Sequence, residues 1–237
     1  MPDDVKKSIL SDKIIAIIRN VRSEQIEQVA EALLKGNIRC LELALSGGAN
    51  YDEKDVLNSI ERIRKKYDGQ IYVGAGTILT VEQMKSAYNS GAQYMISPNV
   101  NPDVIAQTKQ CGCISIPGAY SPTEIINAYE YGADLVKVFP VGKAGASYIK
   151  NLSVPLGKIP LIAVGGVTLQ NVQEFLHAGA VAVGVGGNLV DIQLIQQKRY
   201  SELAVKAKEF HRQISWNGYQ YGHDFHTKAY KARFHDK

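Results

Sequence analysis

The segment Gly132-Ala-Asp-Leu-Val-Lys137-Val-Phe139 joins a glycine at the expected end of a helix to a short apolar strand. Four more segments repeat this arrangement, and they begin at Gly36, Gly91, Gly112 and Gly179. Glycine suits the left-handed conformation in which many helices end, and an uninterrupted apolar run is typical of a strand buried on both faces. The repeat therefore predicts alternating helices and strands, which favours a parallel sheet.

Eight strands of this kind follow one another along the chain. They are predicted at Ile14–Arg19, Ile38–Leu45, Ile71–Gly74, Tyr94–Ser97, Ile114–Ile116, Leu135–Phe139, Leu161–Val164 and Ala182–Gly184. Polar residues suited to helix starts lie between them, at Thr80, Asn101, Ser121 and Thr168. Because the first strand is not followed by Gly-x-Gly-x-x-Gly, a dinucleotide-binding sheet is disfavoured. We expect an α/β fold with a closed (β/α)₈ TIM barrel over residues 1–214 and an aromatic-rich C-terminal extension over 215–237.

The composition excludes several classes of protein. Hydrophobic residues make up 45% and charged residues 21% of the 237 residues, which is typical of globular proteins and excludes disordered, collagen-like and coiled-coil chains. The net charge of +4 favours a solvated surface over a nucleic-acid site. The three cysteines lack redox or zinc spacing and indicate reduced thiols. Without a signal peptide or a membrane-length apolar stretch, we expect a soluble, cytoplasmic protein with no membrane partner.

Two predicted strands each contain one ionisable residue in an otherwise apolar pattern. These residues are Lys137 and Glu42. Burial lowers the pKa of a lysine, and a neutral amine among apolar side chains can form a Schiff base with a ketone. A nearby carboxylate can move protons in such a reaction. Both are therefore candidate catalytic residues, and the alternatives are a buried ion pair without chemistry or a Lys137 that faces outward.

Glycine-rich turns late in the chain indicate an anion site. Gly165-Gly166 follows the seventh predicted strand, and Gly186-Gly187 follows the eighth. In TIM barrels these two loops commonly bind phosphate through backbone N–H groups, although ordinary turn glycines are the alternative. Arg19 ends the first predicted strand and is either a ligand for a substrate carboxylate or a surface residue. Thr77, after the third strand, is a candidate hydrogen-bond donor.

Taken together, these residues resemble the 2-keto-3-deoxy-6-phosphogluconate / 4-hydroxy-2-oxoglutarate aldolase family of class I pyruvate aldolases. The resemblance runs from about Ile14 to Phe210. Its most specific motifs are Val73-Gly-Ala-Gly-Thr77, Ile96-Ser-Pro98, Ile116-Pro-Gly118 with Thr123-Glu124, and Val136-Lys137-Val-Phe139-Pro140. It implies a homotrimer of barrels without metal or cofactor. It also implies a lyase that cleaves a phosphorylated 2-keto-3-deoxy sugar acid to pyruvate and glyceraldehyde 3-phosphate.

The resemblance also implies a role for each matching residue. Lys137 matches the Schiff-base lysine, and Glu42 matches the glutamate that moves protons. The implied pyruvyl pocket is lined by Thr77, Pro98 and Phe139. Arg19 matches an arginine that many members carry, and Gly165 and Gly166 fall on the phosphate loop. Gly186 and Gly187 complete the set of predicted substrate-binding residues.

The chain departs from the family pattern at three positions. Val164 stands where many members have threonine, Gly187 where many have serine, and Ser46 where some have arginine. Losing two hydroxyls should weaken contacts with the phosphate or the sugar chain. Val164 and its neighbours are more similar to the branch that acts on 2-keto-3-deoxy-6-phosphogalactonate, and one hydrogen-bond donor can decide between such substrates.

The sequence is also compatible with other substrates and other functions. 4-Hydroxy-2-oxoglutarate is a further substrate of the family. A differently reacting phosphate-binding barrel and a non-catalytic binding barrel are alternatives to an aldolase. In the extension, His223 and His226 have a spacing that allows a metal site, but a surface-docked extension is the expected structure.

Overall fold

The computed structural model describes residues 2–45 and 52–216. These residues contain nine parallel strands and ten helices. The strands are β1 (Ile14–Ile18), β2 (Cys40–Ala44), β3 (Tyr72–Gly76), β4 (Tyr94–Ile96), β5 (Ile114–Ile116), β6 (Gly118–Ala119), β7 (Val136–Val138), β8 (Leu161–Val164) and β9 (Ala182–Val185). The helices are α1 (Pro2–Asp12), α2 (Ser23–Lys35), α3 (Glu53–Lys66), α4 (Val81–Asn89), α5 (Pro102–Gln110), α6 (Pro122–Glu130), α7 (Gly145–Ser153), α8 (Val172–His177), α9 (Ile192–Gln196) and α10 (Tyr200–Ser215). None of the helices in these two ranges has the length and apolar character needed to cross a membrane.

The sheet closes through an interrupted strand. Its order is β5-β4-β3-β2-β1-β9-β8-β7-β6, and β5 and β6 are separated only by Pro117, which has no N–H to donate. The segment of Pro117 and β6 pairs with β7. The N–H of Lys137 donates to the carbonyl of Pro117 at 2.9 Å, and the N–H of Phe139 donates to the carbonyl of Ala119 at 3.1 Å. The predicted TIM barrel is thus confirmed. The two-residue strand β6 was not predicted, because a strand that continues beyond a proline gives no separate apolar run.

Side chains alternate between the barrel interior and the layer of helices. The interior cluster includes Ile15, Ile17, Cys40, Tyr94, Ile96, Ile114, Ile116, Leu135, Ile162, Val164 and Ala182. The intervening residues, such as Ala16, Val136 and Val138, belong to the outer cluster that packs against the helices. This alternation determines which side of the barrel wall each functional side chain occupies.

Helix α1 closes the N-terminal end of the barrel. Its Val5 and Ile9 are buried in the interior cluster. The last residue of the helix, Asp12, accepts two hydrogen bonds from Arg39, at 2.8 and 3.0 Å, just before β2 begins. The interior is therefore approached from the opposite side, where the strands reach their C-terminal ends.

A helix ends at or just before each of the five predicted glycines, but the predicted left-handed conformation is wrong at one of them. Gly91, Gly112, Gly132 and Gly179 all have positive φ, at 95°, 70°, 101° and 109°. Gly36 has φ −87°, and its neighbour Asn37 takes the left-handed conformation at φ 62°. Gly36 instead permits close packing, since a Cβ atom there would lie 2.3 Å from the Cβ of Ala207 in α10.

The predicted helix starts are confirmed at three positions and wrong at one. Thr80, Asn101 and Ser121 each accept a hydrogen bond from the first turn of α4, α5 and α6. Thr168 does not begin a helix, because α8 starts only at Val172. The Thr168 hydroxyl instead accepts from the N–H of Asn171 at 3.3 Å, within the turn that precedes the helix.

The final described helix ends close to the predicted boundary at residue 215, since α10 stops at Ser215. The predicted extension lies almost wholly outside the described residues, as do its His223 and His226. Ser46 also lies outside them.

Candidate active site

Lys137 lies inside the barrel, in the middle of β7. Its strand neighbours Val136 and Val138 face the helices, so Lys137 faces inward and is 3% exposed. The outward-facing alternative is therefore wrong. Burial lowers the pKa of the Lys137 ammonium, the charge of Glu42 raises it, and the charge of Arg19 lowers it. The net effect is a lowered pKa, which favours the neutral amine.

Glu42 occupies an interior position of β2, opposite Gly74 of β3 in the sheet register. It is 1% exposed, and its Oε1 atom has no hydrogen-bond partner among the described residues. A Cβ atom on Gly76 would lie 1.9 Å from this Oε1 and 2.6 Å from Cγ. The carboxylate therefore fits only because residue 76 has no side chain.

A buried ion pair of Glu42 and Lys137 without chemistry is the alternative to a catalytic site. The carboxylate is near enough to raise the pKa of Lys137, yet Oε1 of Glu42 accepts no hydrogen bond from it. A buried polar atom without a partner is costly in a folded protein. The arrangement thus leaves one acceptor free for a donor that is not part of the described residues.

Tyr94 is a part of the site that the sequence did not indicate. It is fully buried at the start of β4, and its hydroxyl donates to the carbonyl of Leu41 at 2.6 Å. Its ring lies where a Cβ atom of Gly74 would be, 2.2 Å from Cδ2. Burial, followed by the nearby Cys40 and Glu42 groups, raises the pKa of Tyr94 well above its usual value. Tyr94 therefore fills the interior beside Glu42 as a neutral donor.

Four further predicted residues follow strands at the C-terminal side of the barrel. The Nζ atom of Lys137 lies 4.8 Å from the ring centroid of Phe139, which is 36% exposed. Pro98 is half-buried after β4, and Thr77 is half-buried after β3 with φ 59°, an uncommon conformation for a β-branched residue. Arg19 follows β1 on the exposed side and acts on the pKa of Lys137. The fold thus gathers these residues around the open end of the barrel.

The first glycine turn forms one wall of a cleft of about 530 Å³. Gly165 and Gly166 have φ 98° and 74°, and a Cβ atom on Gly166 would lie 2.7 Å from Cα of Gly142. The turn after β8 therefore packs directly against the loop after β7. In TIM barrels a loop at this place commonly binds phosphate through its backbone N–H groups.

The second glycine turn is arranged differently. The carbonyl of Gly186 accepts from the N–H groups of Leu189 and Val190, at 2.8 Å each. A Cβ atom on Gly186 or Gly187 would have no neighbour within 4 Å. Neither residue lines the cleft beside Gly165 and Gly166, so the structure brings only one of the two predicted turns to that cleft.

Val164, one of the departures noted above, is an interior residue. It is buried in the barrel cluster, and a Cβ atom on Gly184 would lie 2.8 Å from its Cγ2. Its side chain thus packs against β9 and supplies no hydroxyl to the cleft. No group of three or more His, Cys, Asp or Glu within residues 2–45 and 52–216 is arranged to hold a metal ion.

The fold and this site define a class: (β/α)₈ barrels with a buried lysine–glutamate pair at the open end and a glycine turn suited to an anion. The family model for KDPG and KHG aldolases, those of 2-keto-3-deoxy-6-phosphogluconate and 4-hydroxy-2-oxoglutarate, matches residues 5–205. This chain belongs to that family.

Individual relatives agree with this assignment. A 2-dehydro-3-deoxy-phosphogluconate aldolase of Treponema pallidum is 32% identical over 199 residues, which are 83% of this chain and 91% of the relative. A probable 2-dehydro-3-deoxy-6-phosphogalactonate aldolase of Rhizobium meliloti is 33% identical over 177 residues, or 74% and 81% of the two chains. A solved structure described as native KDPGal superposes with a TM-score of 0.75 at 29% identity, covering 86% of this chain and 96% of the other.

Proposed function

We propose that this protein is a class I aldolase that cleaves a 2-keto-3-deoxy-6-phospho sugar acid to pyruvate and glyceraldehyde 3-phosphate. The observation that carries the proposal is the inward-facing Lys137, 3% exposed and with a lowered pKa, beside a glutamate whose Oε1 has no partner among the described residues. Relatives at 32% and 33% identity that are named as aldolases support it.

The first step forms a covalent bond to the substrate. The neutral Nζ atom of Lys137 adds to the C2 ketone, and loss of water gives a protonated imine. The lowered pKa of Lys137 supplies the neutral amine at a lower pH than an exposed lysine would.

The second step breaks the carbon–carbon bond. Glu42 takes the proton of the C4 hydroxyl, the C3–C4 bond breaks, and its electron pair moves into the imine to give an enamine. The C4 hydroxyl becomes the aldehyde of glyceraldehyde 3-phosphate. The enamine is then protonated at C3, and water releases pyruvate and returns the amine of Lys137.

The remaining predicted residues bind the two ends of the substrate. Arg19 and Thr77 hold the carboxylate next to C2, and Phe139 and Pro98 line the space around the pyruvyl group. The turn at Gly165-Gly166 binds the terminal phosphate through backbone N–H groups. Holding both ends places C4 beside Glu42, and such orientation contributes strongly to rate.

The sugar configuration, assembly and compartment are also proposals. Because relatives of the gluconate and galactonate types have almost the same identity to this chain, we assign both substrates to the proposed class and would assay them side by side. We further propose a cytoplasmic homotrimer that acts in carbohydrate metabolism. Light scattering should then give a particle of about three times 26.0 kDa.

The decisive experiment is trapping of the imine. The protein is incubated with pyruvate and reduced with borohydride, and the modified residue is mapped by peptide mass spectrometry. We expect a single reduced pyruvyl adduct on Lys137 and turnover of at least one of the two phosphorylated sugar acids.

Two variants make this experiment specific. Lys137→Ala should lose the adduct and lower turnover by on the order of 10³-fold or more, with an unchanged circular dichroism spectrum. Lys150→Ala removes an exposed lysine of α7 and should retain both. A folded wild-type protein that forms no adduct would instead support a binding barrel.

A further inference from the structure

The cleft beside Gly165-Gly166 contains a charged residue for which the proposed function has no role. Its lining includes Tyr120, Gly142, Lys143 and the two turn glycines. Lys143 is exposed, and it belongs to none of the ion pairs found among the described residues. No acidic residue lines this cleft, so its charge is positive.

The backbone holds Lys143 next to the glycine turn. The N–H of Val141 donates to the carbonyl of Val164 at 3.0 Å, and the N–H of Gly145 donates to the carbonyl of Val141 at 2.8 Å. Gly142 lies against Gly166, as described above. The loop that carries Lys143 is thus fixed between β8 and the start of α7.

Tyr120, which also lines the cleft, is held in place by ring packing and a hydrogen bond. The ring of Tyr120 stacks on Tyr148 with centroids 4.9 Å apart, and the hydroxyl of Tyr148 donates to the carbonyl of Tyr120 at 2.6 Å. The nearest acid in this segment, Glu124, accepts from the N–H groups of Tyr120 and Ser121 at 2.8 and 2.7 Å. It is therefore engaged in capping α6 and does not neutralise Lys143.

Neither Val164 nor Gly187 supplies a hydroxyl to this cleft. Val164 packs inside the barrel, and Gly187 lies outside the cleft. Lys143 is the one charged side chain among the residues that line the cleft. A lysine ammonium is a well-suited partner for a phosphate, as a mobile point charge.

We propose that Lys143 binds the terminal phosphate dianion of the substrate in this cleft and thereby selects phosphorylated substrates over substrates that end in a carboxylate. This inference rests on the proposed function for the identity of the substrate. Lys143 acts as a specificity residue, because it contacts the end of the substrate away from the bond that breaks.

The test uses glycerol 3-phosphate, which carries the phosphate but has no carbonyl group to react. Its dissociation constant is measured by calorimetry for the wild type, Lys143→Ala, Lys143→Arg and Lys150→Ala. We expect Lys143→Ala to weaken binding by about tenfold, which corresponds to about 1.4 kcal/mol. Lys143→Arg should stay within about threefold because it keeps the charge, and Lys150→Ala should stay within about twofold.

A second measurement separates this inference from the proposed function. Lys143→Ala should form the pyruvate adduct on Lys137 as the wild type does, because pyruvate carries no phosphate. Its kcat/KM should fall for a phosphorylated sugar acid and stay unchanged for 4-hydroxy-2-oxoglutarate. Equal affinity of wild type and Lys143→Ala for glycerol 3-phosphate, or no binding by the wild type, would overturn the role of Lys143. Failure to trap pyruvate on the wild type would overturn the aldolase assignment and with it the identity of the substrate, whereas the affinity for glycerol 3-phosphate tests the phosphate contact of Lys143 by itself.

Discussion

Glu42 occupies the volume that a side chain at position 76 would fill, with Oε1 only 1.9 Å from the position of a Cβ atom on Gly76. The carboxylate thus lies on β2, and the neighbouring strand β3 leaves room for it at Gly76. The position of the candidate base therefore depends on the absence of a side chain at Gly76 as much as on Glu42 itself.

Gly76→Ala should therefore displace Glu42 from its place in the interior. We expect kcat to fall by about 10²-fold, because displacing a catalytic group by about 1 Å can cost that much. Stability should fall by roughly 1–3 kcal/mol from overpacking. Cleavage kinetics and chemical denaturation measure these effects.

Combining this variant with Glu42→Gln tests whether the effect acts through the carboxylate. In the Glu42→Gln background, Gly76→Ala should add little further loss of kcat, since the group that it displaces no longer acts as a base. Independent, multiplicative losses in the double variant would contradict this account.

The pH dependence of Lys137 should respond in opposite directions to its two charged neighbours. Glu42 raises the pKa of Lys137 and Arg19 lowers it. Glu42→Gln should therefore lower the pKa of Lys137 further, and Arg19→Gln should raise it. The shift from Arg19 should shrink with added salt, because Arg19 is exposed.

Acetylation of Lys137 across a pH series, followed by peptide mass spectrometry, measures this pKa directly. Only the neutral amine reacts, so the midpoint of labelling gives the pKa of the group. Shifts in the same direction for both variants would show that the charge assignment is wrong.

Folding stability should also reflect the buried lysine. In the unfolded chain Lys137 titrates near its ordinary pKa of 10.5, and in the folded protein it titrates at lower pH. Between these two values the unfolded chain binds more protons, so the free energy of unfolding rises with pH. Below the lower value both states are charged, and the stability cost of burying the charge is fully present.

We therefore expect the wild type to gain stability relative to Lys137→Met as the pH rises through that window. Urea denaturation of both proteins at several pH values measures the difference. A difference that stays constant up to the ordinary lysine pKa would mean that the folded protein does not lower the pKa of Lys137.

Tyr94→Phe should affect stability more than chemistry. The variant leaves the buried carbonyl of Leu41 without the hydroxyl that now donates to it at 2.6 Å. We expect a loss of roughly 1–3 kcal/mol in the free energy of unfolding, with retention of the pyruvate adduct on Lys137. Tyr72→Phe is the matched control, because the half-buried Tyr72 hydroxyl has no hydrogen bond to another described residue.

The barrel and the two central residues could be predicted from the sequence for a clear physical reason. An ionisable residue in an otherwise apolar strand, such as Lys137, stands out because burying a charge is costly. The alternation of strands and helices likewise specifies a parallel arrangement. Both signals lie within short stretches of sequence, so they can be recognised without knowing which residues the fold brings together.

Features that depend on a partner in another strand or helix could not be predicted. Gly36 was expected to end a helix in the left-handed conformation, yet it allows contact with Ala207, which lies 171 residues further along the chain. The role of Tyr94 depends on the space over Gly74, and that of Lys143 on a cleft shared with Gly166. Such pairs become visible only when the barrel brings them together.

The closure of one end of the barrel by α1 has a kinetic consequence. With Val5 and Ile9 filling that end, the interior is open on one side only, and the buried Lys137 is reached from that side. In the proposed mechanism the pyruvyl fragment stays bound to Lys137 after the carbon–carbon bond breaks, and both fragments leave through this one opening. We therefore expect the aldehyde to leave first and pyruvate last, because pyruvate is freed only when water hydrolyses the imine.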